Sequence, residues 1–208
     1  MKITIFGATG GTGRHVVEQA GAAGHDVTAV VRDAARLAPG ADLTVVTADV
    51  MDPDAIAPAI AGRDAVLTAI GAAGRGPTTV QTDSTAAIVA AMRQTGVRRL
   101  VCVSNSGMHT DGDGPFTKAL VKPLLRRVLR HGFSDMRGME DLVTATDLEW
   151  TIVRPPRLTN GRATGAYRTE VGRNVRGGMQ VSRADLADCV LRSLTEPSWS
   201  RATVSVAS

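Results

Sequence analysis

At 208 residues, 43% hydrophobic and 21% charged, the chain has the length for one domain with a substantial core and lacks the bias of a disordered or fibrous protein. No apolar run nears the roughly 20 residues that span a bilayer, and Ile3 to Phe6 is too short for a signal peptide, so a cytoplasmic protein with no membrane partner is expected. The net charge of +4 comes from arginines dispersed among acids, with one Tyr, two Trp and three Phe for base stacking, which argues against a nucleic-acid partner.

The chain opens with an apolar, β-branched run, KITIF, then Gly7-Ala-Thr-Gly10-Gly-Thr-Gly13, then a helical pattern over about 12 to 23. In such a strand, loop and helix each glycine has a task. Gly7 permits a tight turn, Gly10 lets the backbone approach a pyrophosphate with no Cβ in the way, and Gly13 allows close helix packing. Free N–H groups at the helix start then meet phosphate oxygens, helped by the helix dipole. The unit predicts dinucleotide binding. The second strand, DVTAVV, runs into Arg32-Asp-Ala-Ala-Arg36. NAD sites place an acid at this strand end for the ribose 2′-OH, whereas NADP sites place cations for the 2′-phosphate. Arg32 and Arg36 can clamp a phosphate through charge-assisted hydrogen bonds, while Asp33 offers the alternative of a 2′-OH partner. NADP(H) is the favoured cofactor.

Further along, LTVVTA, DAVLTAI, RRLVCVS and EWTIVRP read as strands three to six, with helical patterns at about 53 to 61, 79 to 95 and 134 to 146 between them. Asp52-Pro53 predicts an N-cap with proline at the first helical position, and Ser182-Arg-Ala-Asp185 resembles a capping box that opens a helix over Ser182 to Leu194. ATVSVA is a candidate last strand. This alternation of near-continuously apolar strands with helices predicts an α/β fold, a doubly wound parallel sheet (Rossmann fold) in three α/β/α layers. Residues 1–208 read as a single domain, with a substrate-side region formed by about 106–135 and 156–180. Within it, residues 109–133 form a longer insertion with a helix from Pro115 onward, interrupted at Pro123, which reads either as a ligand cover or as an ordinary connection. Cys102 and Cys189 sit apart in apolar patterns, and no histidine has metal-ligand spacing, so no metal is expected.

IFGATGGTG, VVRDAARL, TADV, GPTTV, GVRRLVCVS and RPPRL followed by TGAY resemble the atypical short-chain dehydrogenase/reductases, in particular the biliverdin-IXβ reductase-like (NADPH flavin reductase-like) and NmrA-like NAD(P)-binding proteins. The resemblance covers nearly the whole chain and is weakest over about 106 to 135. It implies that Gly7, Thr9, Gly10, Gly11, Thr12 and Gly13 hold the pyrophosphate and that Arg32 and Arg36 hold the 2′-phosphate. It also implies that Asp49 and Val50 flank the adenine, that Ile70 and Gly71 pass beneath the ribose, and that Ser104 and Pro155 lie near the nicotinamide.

The superfamily commonly protonates a carbonyl oxygen with the Tyr of a Tyr-x-x-x-Lys pair. Here Tyr167 is followed four residues later by Val171, so the pair is absent. Reducing an isolated ketone makes an alkoxide, for which a positioned acid contributes roughly 10²- to 10⁴-fold. A conjugated acceptor spreads the charge instead, and water can supply the proton. Ser104-Asn105-Ser106 ends the fifth strand where the superfamily carries a substrate-orienting serine. Asn105 falls at the serine of biliverdin-IXβ reductase-like members and Ser106 at that of sugar-epimerase relatives, so both are candidate catalytic residues. Either side chain equally suits an ordinary turn. Arg157 and Tyr167 are candidate substrate contacts. The expectation is an NADPH-dependent reductase that transfers hydride to a flavin or another flat conjugated small molecule, as a monomer or small homo-oligomer. A non-catalytic NADP-binding sensor of NmrA type, or a reductase or epimerase for another small molecule, stays open.

Overall fold

The computed structural model describes residues 1–38, 43–74, 76–115 and 117–208. The first six strands stand close to where apolar, β-branched runs predict them: β1 (Lys2–Phe6), β2 (Asp26–Val31), β3 (Leu43–Thr47), β4 (Ala65–Thr68), β5 (Arg99–Val103) and β6 (Glu149–Arg154). Three short strands, β7 (Arg157–Thr159), β8 (Arg168–Val171) and β9 (Gln180–Ser182), were not expected, whereas β10 (Ala202–Ala207) is the ATVSVA tail. The central sheet has the order β3-β2-β1-β4-β5-β6-β10-β8, parallel except for β8, which runs antiparallel to β10. β7 and β9 pair with each other outside it. No apolar alternation marks β7 to β9: β7 and β8 are only partly covered, and β9 is three residues long with its buried positions taken by Val181 and Ser182.

Helices α1 (Gly11–Ala22), α2 (Pro53–Ile60), α3 (Val80–Thr95), α4 (Lys122–Val128), α5 (Arg130–Thr144) and α6 (Arg183–Arg192) complete the chain. Successive strand residues point to opposite faces, and the core divides accordingly. Ile3 and Ile5 of β1 pack with Val16, Ala20, Leu186 and Val190 of α1 and α6. Phe6, Val66 and Ile152 pack on the other face with Ile60, Ile88 and Met139 of α2, α3 and α5. These are the three layers of a doubly wound sheet. Buried Cys102 and Cys189 belong to this packing, and burial pushes both thiols up, that of Cys189 to about 12. No helix among the described residues is long and apolar enough to cross a membrane.

Helix starts follow two different rules. Asp52 accepts from the N–H groups of Asp54 and Ala55, and Pro53 takes the first helical position, as the local sequence dictates. Ser182 accepts from Asp185 N–H at 2.9 Å, but Asp185 does not complete a capping box. Its carboxylate accepts from the N–H groups of Thr164 (2.7 Å) and Gly165 (2.9 Å) and from two hydroxyls. It therefore ties the TGAY loop to α6. In the insertion, a widened π-helical turn over Thr117–Val121 runs directly into α4, whose second residue is Pro123. α5 begins earlier than the helical pattern suggested, at Arg130.

Candidate active site

Strand order reverses between β1 and β4, so the loops leaving their carboxyl ends diverge and open a crevice there. The glycine loop forms its floor. Gly7 has φ +80°, and a Cβ on it would lie 2.6 Å from the backbone of Ala69 at the end of β4. A Cβ on Gly13 would lie 2.1 Å from the Gly7 carbonyl oxygen. Gly10 N–H closes the turn onto that same oxygen at 2.9 Å. This cradle cannot hold side chains at its crossing points, which is the shape a diphosphate needs. Gly10, Gly11 and Thr12 line a cleft of about 510 Å³ together with Ile70, Gly71, Ser104, Asn105 and Pro155. Of the residues expected around the pyrophosphate, ribose and nicotinamide, Gly7, Thr9 and Gly13 do not line this cleft.

At the end of β2, Arg32 and Arg36 are exposed, and Arg14 of α1 reaches the Arg36 carbonyl at 3.3 Å, adding a third guanidinium to the same corner. Asp33 accepts from Ala35 N–H at 3.0 Å and so caps the short turn Ala34–Arg36. Its carboxylate is engaged in the turn. Asp49 likewise accepts from Met51 N–H, and Val50 packs against the α2/α3/α5 core; neither lines the cleft.

Several residues of the cleft carry no sequence signal. Arg183, the first residue of α6, passes over the glycine loop: a Cβ on Gly11 would lie 2.7 Å from its Nε. It donates to Asn160 Oδ1 at 2.5 Å and lines the cleft. Gln81 is 3% exposed, lines the cleft, and its Nε2 has no hydrogen-bond partner among the described residues. The α3 N-terminus beside it is filled from another helix, because buried Asp135 of α5 accepts from the N–H groups of Gln81 (3.0 Å) and Thr82 (2.9 Å). Only the packing of α3 on α5 could reveal that cap.

Near the ends of β5 and β6, buried Glu140 accepts from Arg154 at 2.9 and 2.6 Å and lies 3.1 Å from His109 Nε2. Burial pushes this carboxyl up, but the His109 and Arg154 contacts outweigh it and hold it down to about 2. Asn105 spends its side-chain oxygen on Gly107 N–H at 2.6 Å, the ordinary turn its residue type also allowed. Ser106 is buried; its N–H donates to the Pro155 carbonyl and its carbonyl accepts from Lys122 Nζ at 2.6 Å. Ser106 lies outside the cofactor cleft and lines a second cavity, to which Asn105 also belongs. Arg157 lines that second cavity and donates to Gln180 Oε1. Tyr167 lines neither: its hydroxyl donates to Asp188 of α6, and burial followed by that carboxylate pushes the phenol up. The hydroxyl expected at the substrate is engaged by this carboxylate.

A family model described as NAD(P)H-binding matches residues 7–197, from the first glycine to five residues beyond α6. The chain belongs to the NAD(P)H-binding family. This domain is 29% identical over 203 residues to the uncharacterized protein YwnB of Bacillus subtilis, covering 95% of this chain and 93% of that one. It is 40% identical over 195 residues to a 3-diazoavenalumate denitrifying reductase of a Streptomyces species, covering 81% of this chain but only 59% of that protein. In fold, the NAD(P)H-binding domain superposes with a TM-score of 0.84 on a short-chain dehydrogenase/reductase of Veillonella parvula in complex with NADP, at 19% identity, covering 100% of this chain and 94% of that one. The family is NAD(P)H-binding and the fold is a Rossmann-like α/β fold.

Proposed function

We propose that the protein is an NADPH-dependent reductase whose acceptor is a flavin or another flat, conjugated small molecule. The glycine cradle fits a diphosphate, and Arg32, Arg36 and Arg14 fit a 2′-phosphate, the more so because Asp33 is occupied within its own turn. The Veillonella neighbour holds NADP, and the Streptomyces relative is named a reductase; both support this reading. Ile70 and Gly71 would hold the ribose and Ser104 and Pro155 the nicotinamide, and Arg183 and Gln81 would add donors from the cleft walls. NADPH, when bound, supplies a hydride, two electrons with one hydrogen. Arg183 is the one ionisable side chain among the described residues lining the cleft, and that observation carries the choice of acceptor. With no carboxylic acid, phenol, imidazole or ammonium there, the negative charge left by hydride arrival spreads over the acceptor's π system, and water returns the proton.

Mixing the protein with NADPH and FMN, or with biliverdin, and following the near-ultraviolet absorbance of the reduced nicotinamide tests the reading. Steady loss of that absorbance is expected. A flat trace with demonstrated NADPH binding replaces it by the second reading, an NADP-binding sensor, which the same acid-free lining supports.

A further inference from the structure

Beside the cofactor cleft lies a second chamber of about 430 Å³, within the size range of small-molecule sites. Asn105 and Leu129 line both spaces, so the two adjoin at the carboxyl end of β5. The chamber's walls are largely apolar, with Val175, Met179, Val206 and Ala207 on the β10 side and Pro156 opposite. Its charges do not cancel. Asp113 pairs with Lys122 at 3.3 Å, both nearly buried, and Arg154 is neutralised by Glu140 behind it. Arg157 is solvent-exposed, has only the neutral amide of Gln180 as its hydrogen-bond partner and forms no ion pair among the described residues, so it is the chamber's one charge free to meet a ligand. An apolar slot with one uncompensated guanidinium selects a flat body carrying a single anionic group, because the guanidinium fork matches a carboxylate.

We infer that this chamber is the substrate site for a conjugated carboxylate, whose carboxylate meets Arg157 and whose reducible end lies beside Asn105 at the cofactor cleft. The inference rests on the reductase reading and narrows its acceptor to an acid. Asn105 then serves at the junction, where its side-chain amide, already oriented by Gly107 N–H, faces both spaces.

The test titrates the NADP⁺-loaded protein with cinnamate and with cinnamamide, which share a conjugated body and differ in charge. Cinnamate binds at least about tenfold more tightly, as expected for a hydrogen bond between charged groups. Arg157→Gln removes that preference and leaves cinnamamide unchanged, while Arg157→Lys restores part of it. Met179→Trp, at a wall residue exposed enough to tolerate a larger side chain, weakens both probes. Equal affinity for the two probes, a preference that survives in Arg157→Gln, or wild-type protein that binds NADP⁺ but neither probe overturns the inference. Unchanged binding of both probes to Met179→Trp overturns the assignment to this chamber. Failure to bind NADP⁺ itself, measured separately by calorimetry, instead removes the reductase reading.

Discussion

Gly13 and Gly21 occupy one helix, α1, and the structure assigns opposite signs to their replacement by alanine. A Cβ on Gly13 would lie 2.1 Å from the Gly7 carbonyl oxygen and 2.7 Å from its carbon, both backbone atoms. Ordinary contact begins at 3.4 Å, so the first turn of α1 and the loop must separate by roughly 1.3 Å. Overpacking of this kind costs about 1–3 kcal/mol, and in a chain of this length each kcal/mol shifts Tm by about 2–4 °C. A Cβ on Gly21 meets nothing within 4 Å, so Gly21→Ala gains helix propensity worth about 0.5–1 kcal/mol. The expected results are a fall in Tm of several degrees with loss of NADPH binding for Gly13→Ala, and a small rise in Tm with unchanged binding for Gly21→Ala. Scanning calorimetry and NADPH titration read both. If Gly13→Ala keeps its Tm within a degree and its NADPH Kd within twofold, the close approach of helix and loop on which the cofactor cradle rests is refuted.

Arg32→Ala should weaken NADPH by about 10- to 100-fold and NADH little, since a charge-assisted hydrogen bond contributes roughly 1.5–3 kcal/mol; equal losses in parallel titrations would show that Arg32 does not meet the 2′-phosphate. Glu140 is held below its ordinary value, so its contribution to stability is complete above pH of about 4.5 and is lost as pH falls toward about 2. The stability gap between wild type and Glu140→Gln, on the order of 3 kcal/mol near neutrality, should therefore shrink across that window in urea melts, and a gap independent of pH would contradict the buried Arg154 pairing. Tyr167→Phe should lower stability by about 0.5–1.5 kcal/mol through loss of the Asp188 hydrogen bond, with an unchanged Kd for NADPH; a Tm equal to wild type would deny the hydroxyl that structural role.

The approach of helix, loop and sheet at Gly7 and Gly13 matters beyond stability, because it leaves the start of α1 open to a ligand. The same crowding explains why Gly11 needs no Cβ either: Arg183 fills that space from α6, 172 positions later in the chain. A cation from the far end of the domain thus completes a pocket begun by its first fifteen residues. Its position depends on α1 and α6 packing together over one face of the sheet, through Val16, Ala20, Leu186 and Val190.

What the order of residues determined alone is what neighbours in the chain decide among themselves. Apolar period and branching placed the first six strands and the β10 tail, Asp52-Pro53 started α2, and the spacing of Gly7, Gly10 and Gly13 announced a phosphate loop, since each depends on sterics and hydrogen bonds within a few residues. Tertiary structure decided which polar groups those elements spend on one another. Asp135 caps α3 across 53 and 54 positions, Asp185 grips Thr164 and Gly165 as well as the Ser182 cap of its own helix, and Tyr167 donates to Asp188. Strands β7 and β9 pair across about 23 residues with little apolar pattern to mark them. A buried carboxylate or hydroxyl must find a partner, but any of several serves equally well locally, and only the packing of whole helices and strands selects one.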